Sequence, residues 1–287
     1  RGPTHSFLLL PFWALAFSWI LARLLREPGG WRALYGVTAL GIALHIVGDL
    51  ITNFGTMILW PLTTWRPGLG TTFIIDPWFT GIILAGLIAA LFLRRKRFPS
   101  VAALATLCAY VGFQYVVKQQ ALEFGAEYAR SHGIAGARID AHPRPASPFN
   151  WTVFVSDEEA HRFAHVNLVR DKPKPYQPGD GFFARLDAAY LPPGQAVWVT
   201  RTRYGQTDQA LIREAWESPP LGFFRWFAEL PAFDGMTAKP DCTWFVDLRF
   251  LIPGRNDLPF EFGACREAPD RPWRAYQRDA IGKGPVR

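Results

Sequence analysis

The chain has little cysteine and little charge, and it lacks the short motifs that announce common chemistries. Only three cysteines occur among its 287 residues, and none form a Cys-x-x-Cys pair. That excludes the paired-thiolate zinc and dithiol redox motifs. There is no Gly-rich phosphate loop and no Gly-x-Ser-x-Gly elbow, so neither P-loop nucleotide binding nor an α/β-hydrolase serine is indicated. His161 and His165 are four apart, but Arg162 stands where a His-Glu-x-x-His zinc protease needs its glutamate. Both histidines are read as surface residues. Charged residues make up only 19%, and the net charge of +7 lies in short clusters rather than a long stripe. Such clusters point to membrane orientation and solvated surface, and away from nucleic acid. No internal repeat and no signal peptide with a small-residue cleavage site is visible. The chain opens on Arg1 rather than Met, inside what reads as a motif, and the natural start is expected upstream.

What is present divides in two. The first 120 or so residues are greasy, and the remainder is polar, Pro-rich and aromatic, a length and a contrast that suit two domains. Four apolar runs occupy the first part, at 6–25, 33–51, 73–93 and 101–117. Each is close to the span of a ~30 Å hydrocarbon core. Arg23, Arg26 and Arg32 follow the first run, and Arg94-Arg95-Lys96-Arg97 follows the third. The positive-inside rule puts both clusters on the cytoplasmic side. The 53–72 loop, with Trp60 and Trp65 as interfacial aromatics, then faces outward with everything after the fourth run.

That topology sets His5, His45, Asp49 and Asp76 at one outer membrane level. His45 and Asp49 are four apart, as are Asp49 and Asn53, so on a helix they share a face with Thr52 beside them. An ionisable pair in an apolar helix is a functional candidate. Neutral imidazole plus carboxylate suits zinc, manganese or iron better than magnesium or calcium, with zinc first and manganese next. Asp76 precedes Pro77 and also fits a helix N-terminus; as a further carboxylate it would complete the site. Thr4 and Ser6 are read as caps of the first helix.

After 120 a helical extension and the Pro-rich stretch His142-Pro143-Arg144-Pro145 read as a linker covering 121–145. Strand-like runs follow at 151–155, 165–169, 196–202, 243–250 and 259–262, with short helices at 208–216 and 221–230. The expectation for 146–287 is a small β-rich α+β domain outside the membrane. Cys242 and Cys265 flank strand-like segments, and their spacing leaves a disulfide and two free thiols equally open.

The blocks Arg1-Gly2-Pro3-Thr4-His5-Ser6, His45-Ile46-Val47-Gly48-Asp49 with Thr52-Asn53-Phe54-Gly55, Trp60-Pro61 and Phe73-Ile74-Ile75-Asp76-Pro77 resemble, in order and spacing, the membrane-bound metal-dependent hydrolases. These are also described as LexA-binding, inner-membrane-associated hydrolases. The resemblance covers about residues 1–120 and implies a metal-dependent hydrolase of the inner membrane acting on a phosphoester or lipid-linked substrate, with membrane lipids as neighbours. It implies His5, His45, Asp49 and Asp76 as ligands, Asp49 and Asp76 as catalytic carboxylates, and Thr52 and Asn53 as supporting residues. In that family an Asp-bearing segment and a His precede the first block, which implies further ligands upstream of Arg1. The rival reading is a non-catalytic membrane scaffold whose His/Asp cluster is structural.

Overall fold

A computed structural model describes residues 2–93, 96–177, 179–237, 241–253, 259–268 and 270–278. Arg1 and the Arg94-Arg95 half of the second basic cluster lie outside these. The chain divides between Val116 and Val117 into two compact units.

The first unit is helical: α1 (Leu10–Leu25), α2 (Gly30–Leu50), α3 (Pro77–Phe92) and the first part of α4 (Phe98–Ser131). Four spans are expected from the apolar runs. Two of the helices, α2 and α4, are long and apolar enough to cross a membrane, while α1 and α3 are shorter apolar helices. At 16 residues each, α1 and α3 reach about 24 Å. The shortening has local causes. Pro11 lies in the first turn of α1 and fixes where that helix starts, so the residues before it form turns. Asp76 caps α3, so the run from Phe73 turns helical only at Pro77.

Helices α1 and α2 pack on each other across the Glu27–Gly29 turn. Gly86 permits close approach of α3 and α4, because a Cβ there would collide with that of Ala103. The outer surfaces of these helices are apolar. Leu24 is 73% exposed, Val37 74% and Phe92 80%. In water such a surface would drive association, whereas hydrocarbon solvates it.

The last carbonyls of α2 lack intrahelical partners. The segment that follows supplies them: Leu69 N–H donates to Leu50, Thr71 and Thr72 N–H to Ile51, and Gly70 N–H to Thr52, at 2.8–3.1 Å. Gly55 takes a left-handed φ of 82° hard against the Arg66 carbonyl, which a side chain would obstruct.

The second unit holds two antiparallel four-stranded meanders. One is β1 (Arg138–Pro143), β2 (Asn150–Ser156), β3 (Ala160–Asn167) and β4 (Val199–Thr202); the other is β5 (Pro231–Thr237), β6 (Asp241–Asp247), β7 (Phe262–Arg266) and β8 (Arg274–Gln277). Helices α5 (Phe182–Ala188), α6 (Gln209–Glu217) and α7 (Gly222–Phe227) lie in the connections. Val117 and Ala121 of α4 pack with Trp151, Val153 and Val166 of the first sheet. Phe154 and Phe163 of that sheet pack with Ala232 and Val246 of the second. Strand β2 is therefore covered on both faces, and all seven of its residues are buried. Part of the segment read as a linker is structured, since Arg138–Pro143 pairs along β2 as strand β1. Its Pro143 sits at the end of an edge strand, where a missing N–H is tolerated.

Cys242 and Cys265 are direct cross-strand neighbours on β6 and β7 and form a disulfide. Below them the unit buries an ion-paired arginine. Arg249 is 1% exposed and donates to Asp247 and Glu229 at 2.8 Å each. Its guanidinium also lies 5.2 Å from the Phe227 and Phe250 ring centres.

Candidate metal centre

Helix α2 presents His45 and Asp49 one turn apart on a single face. His5 reaches them from the 3-10 turn Pro3–His5 before α1. That turn is tied down locally. His5 N–H donates to the Gly2 carbonyl at 3.0 Å, and Trp13 Nε1 donates to the Pro3 carbonyl at 2.9 Å. Ser6 Oγ donates to the Trp60 carbonyl at 2.6 Å, and Phe7 N–H to that of Ile58 at 2.9 Å. The loop after α2 thus positions the residue before α1.

The result is a three-donor cluster. His5 Nε2 lies 3.3 Å from His45 Nε2 and 3.2 Å from Asp49 Oδ2. One ligand atom from each of the three residues falls within 4.8 Å of the others. Ligand atoms about 2.0–2.1 Å from a tetrahedral zinc are about 3.4 Å apart, close to these two separations. The side chains of His5 and Asp49 are 18% and 13% exposed, while His45 is on the open side. Thr4 Oγ1 lies 2.8 Å from His5 Nδ1. A hydrogen bond on that nitrogen orients the ring and leaves Nε2 for the cluster. Thr4 and Ser6 are read from the sequence as helix caps; neither caps α1, whose N-cap is Leu9. The only sign of Thr4's role in the sequence is that it adjoins His5.

Asp76 is not brought into this cluster. Its Oδ1 accepts from Trp78 and Phe79 N–H at 2.8 and 2.9 Å, and its Oδ2 accepts from the Tyr110 hydroxyl at 2.8 Å. The helix-capping half of its two expected roles is the one visible, and Tyr110, on α4, could not be paired with it from sequence. Thr52 Oγ1 donates to the Asp49 carbonyl at 2.7 Å, a backbone bond that closes the end of α2. Asn53 follows it, half-buried.

Of the two histidines read as surface residues, His161 is interior and His165 half-buried. They lie on strand β3 and share one face because four is an even number of strand steps. His161 is 2% exposed; Nδ1 meets Ser156 Oγ at 2.7 Å and Nε2 meets the Pro231 carbonyl at 2.9 Å. Burial lowers its pKa. His165 Nδ1 meets Thr152 Oγ1 at 2.8 Å.

No curated protein and no solved structure matches the chain. Residues 1–121, which contain the whole three-donor cluster and all of α1 to α3, match the family described as YdjM inner membrane protein.

Proposed function

We propose that residues 1–121 form a divalent metal centre, zinc or else manganese, held by His5, His45 and Asp49, and that it serves hydrolysis of a phosphoester at the outer membrane–water interface. The convergence of two imidazole nitrogens and a carboxylate oxygen at 3.2–3.3 Å carries the metal assignment. Three protein donors, the number among the described residues, is the ligand count of catalytic rather than structural zinc. An ion held there would lower the pKa of a bound water towards neutrality and polarise the bond under attack. Thr4 orients the His5 ring. The exposed side of His45 gives a substrate its way in. Asp76 falls outside the ligand set and acts by holding the start of α3. The reaction class rests on the resemblance of the motif blocks, and a lipid or lipid-linked substrate rests on location.

The location rests on four crossings, with α1 and α3 completed by the turns at their ends. The turns at Arg23–Arg32 and Lys96–Arg97 then face the cytoplasm, and the metal centre and the second unit face outward. The Cys242–Cys265 disulfide favours the same side, because such bonds persist in oxidising compartments.

A second reading has one observation in its favour. His5 Nε2 and Asp49 Oδ2 at 3.2 Å also describe an ion pair tying the start of α1 to α2, as a membrane scaffold would need. Metal analysis of the detergent-purified full-length protein separates the two. The metal reading expects about one zinc or manganese per chain, lost in His45→Ala and Asp49→Ala proteins that still fold. Absence of transition metal from folded protein sinks it. Where metal is found, a panel of phosphoesters tests the hydrolase, and no turnover of any of them by the loaded protein counts against that class. A reporter fused after Gln120 tests the topology, and a cytoplasmic signal overturns it.

A further inference from the structure

The second unit also buries a cation that has no ion-pair partner among the described residues. Arg144 follows β1 and is 4% exposed. Its Nε donates to Thr152 Oγ1 at 2.6 Å and its Nη1 to the Arg249 carbonyl at 3.0 Å. Its Nη2 makes no hydrogen bond. Among the described residues no carboxylate pairs with it, whereas the neighbouring Arg249 has two. An uncompensated buried charge costs several kcal/mol on the order-of-magnitude scale for ions. Burial draws the guanidinium down to about 10, still charged at neutral pH.

Beyond the two acceptors that Arg144 already uses, donors lie nearby. Tyr190 is fully buried, and its hydroxyl makes no hydrogen bond. The His165 ring stands edge-on to the Tyr190 ring, 5.8 Å between centres. Thr152 Oγ1 accepts from Arg144, which has no acceptor of its own, so it gives its proton to His165 Nδ1 at 2.8 Å. The His165 proton then sits on Nε2. Burial and the charge of Arg144 push this histidine down to about 3, so it stays neutral and keeps Nδ1 as an acceptor. One positive charge and three uncommitted donors, Arg144 Nη2, Tyr190 Oη and His165 Nε2, remain.

We propose that Arg144, Tyr190, His165 and Thr152 form a binding site for a phosphate group. Arg144 Nε is taken by Thr152, which closes the side-on fork to a planar carboxylate. Donors on three separate side chains suit a tetrahedral anion whose oxygens spread in three dimensions. Thr152 and Tyr190 are fully buried and His165 half-buried, so the way in is beside His165 and the group is small. Inorganic phosphate, a soluble phosphate monoester and a lipid phosphate share this chemistry.

The site lies in the second unit and shares no residue with the metal centre, so the test uses full-length His45→Ala protein in detergent, where phosphate has no metal to bind. Calorimetric titration with inorganic phosphate is expected to show saturable binding, and acetate far weaker binding. Tyr190→Phe should weaken phosphate about tenfold, the value of one hydrogen bond to a charged group, while leaving the phosphate-free melting temperature unchanged or raised. Arg144→Gln should abolish binding, and its failure to fold would leave the tyrosine variant to decide. Glycerol 3-phosphate and vesicles containing phosphatidic acid, each in competition with phosphate, tell a soluble ester from a headgroup. No saturable binding, binding that Tyr190→Phe leaves unchanged, or acetate bound as tightly as phosphate overturns the proposal.

Discussion

The two units treat polar groups in opposite ways. In the first, large apolar side chains cover the outside, and His5, His45 and Asp49 converge from two elements with their donor atoms within 4.8 Å. In the second, apolar residues are inside, and its buried polar groups mostly find partners in the protein. Arg249 pairs with Asp247 and Glu229, and His161 with Ser156 and Pro231. Hydrocarbon offers a polar group no partner, so a polar cluster in a membrane unit must satisfy itself or take a ligand. A water-solvated sandwich satisfies its interior through sheet and turn hydrogen bonds. Arg144 and Tyr190 are among the exceptions in the second unit, and they and the His5–His45–Asp49 cluster of the first are where ligands are proposed.

The largest expected effect sharpens this contrast. Replacing Asp49 by Ala should weaken metal binding by at least about a hundredfold, the upper range known even for outer-shell residues, while the second unit melts as before. Metal retained by the variant, measured by elemental analysis, would place the ion elsewhere. Next is Asp247→Ala, which strands the Arg249 charge and should lower stability by about 3–5 kcal/mol. Denaturant unfolding followed by the second unit's tryptophans reads this, with bound metal unchanged. If metal were lost too, the independence of the two regions would fail.

Breaking the Cys242–Cys265 bond, 23 residues apart, should cost about 3 kcal/mol by loop entropy. Unfolding midpoints with and without reductant, against a Cys242→Ser/Cys265→Ser protein, measure it. Equal midpoints would show the bond unformed. The pH response comes next. His165 is held down to about 3, so the unfolded chain binds the extra proton first, and stability falls as pH drops below the usual histidine value near 6.5. Glu261 is held up to about 7 by burial and by Asp234, against an opposing Arg278. Its contribution is complete below the usual glutamate range and fades as pH rises through 7. Midpoints against pH should lose the acid limb in His165→Gln and the limb towards pH 7 in Glu261→Gln; unchanged limbs would refute the assignments. The smallest effect is Tyr110→Phe, which removes one of three hydrogen bonds to Asp76 and should cost about 1–2 kcal/mol. No change in metal content is expected, and a large one would return Asp76 to the site.

How much was legible depended on whether a relationship was local. The His45–Asp49 pair could be read because both sit on one helix, one turn apart. His5 could be aligned with them only by level, through the charge pattern. His161 was misread as a surface residue because its burial comes from a second sheet, through Pro231, which no local pattern shows. Strands β1, β5 and β8 escaped notice: β1 contains Pro143 and adjoins a Pro-rich stretch, β5 opens on Pro231, and β8 has four residues. Cysteine spacing left the disulfide open, and the β6–β7 register decided it.

The sequence by itself determined the division into a greasy helical part and a β-rich part, the start of α3 at Asp76-Pro77, and the stacking of His45 on Asp49. These follow from hydropathy, caps and helical period, all of which act within a few residues. Only the tertiary structure decided that His5 joins that pair while Asp76 turns to Tyr110, that Arg249 finds its carboxylates, and that Arg144 does not. Those outcomes depend on which distant backbone lies alongside, and no short-range rule specifies it.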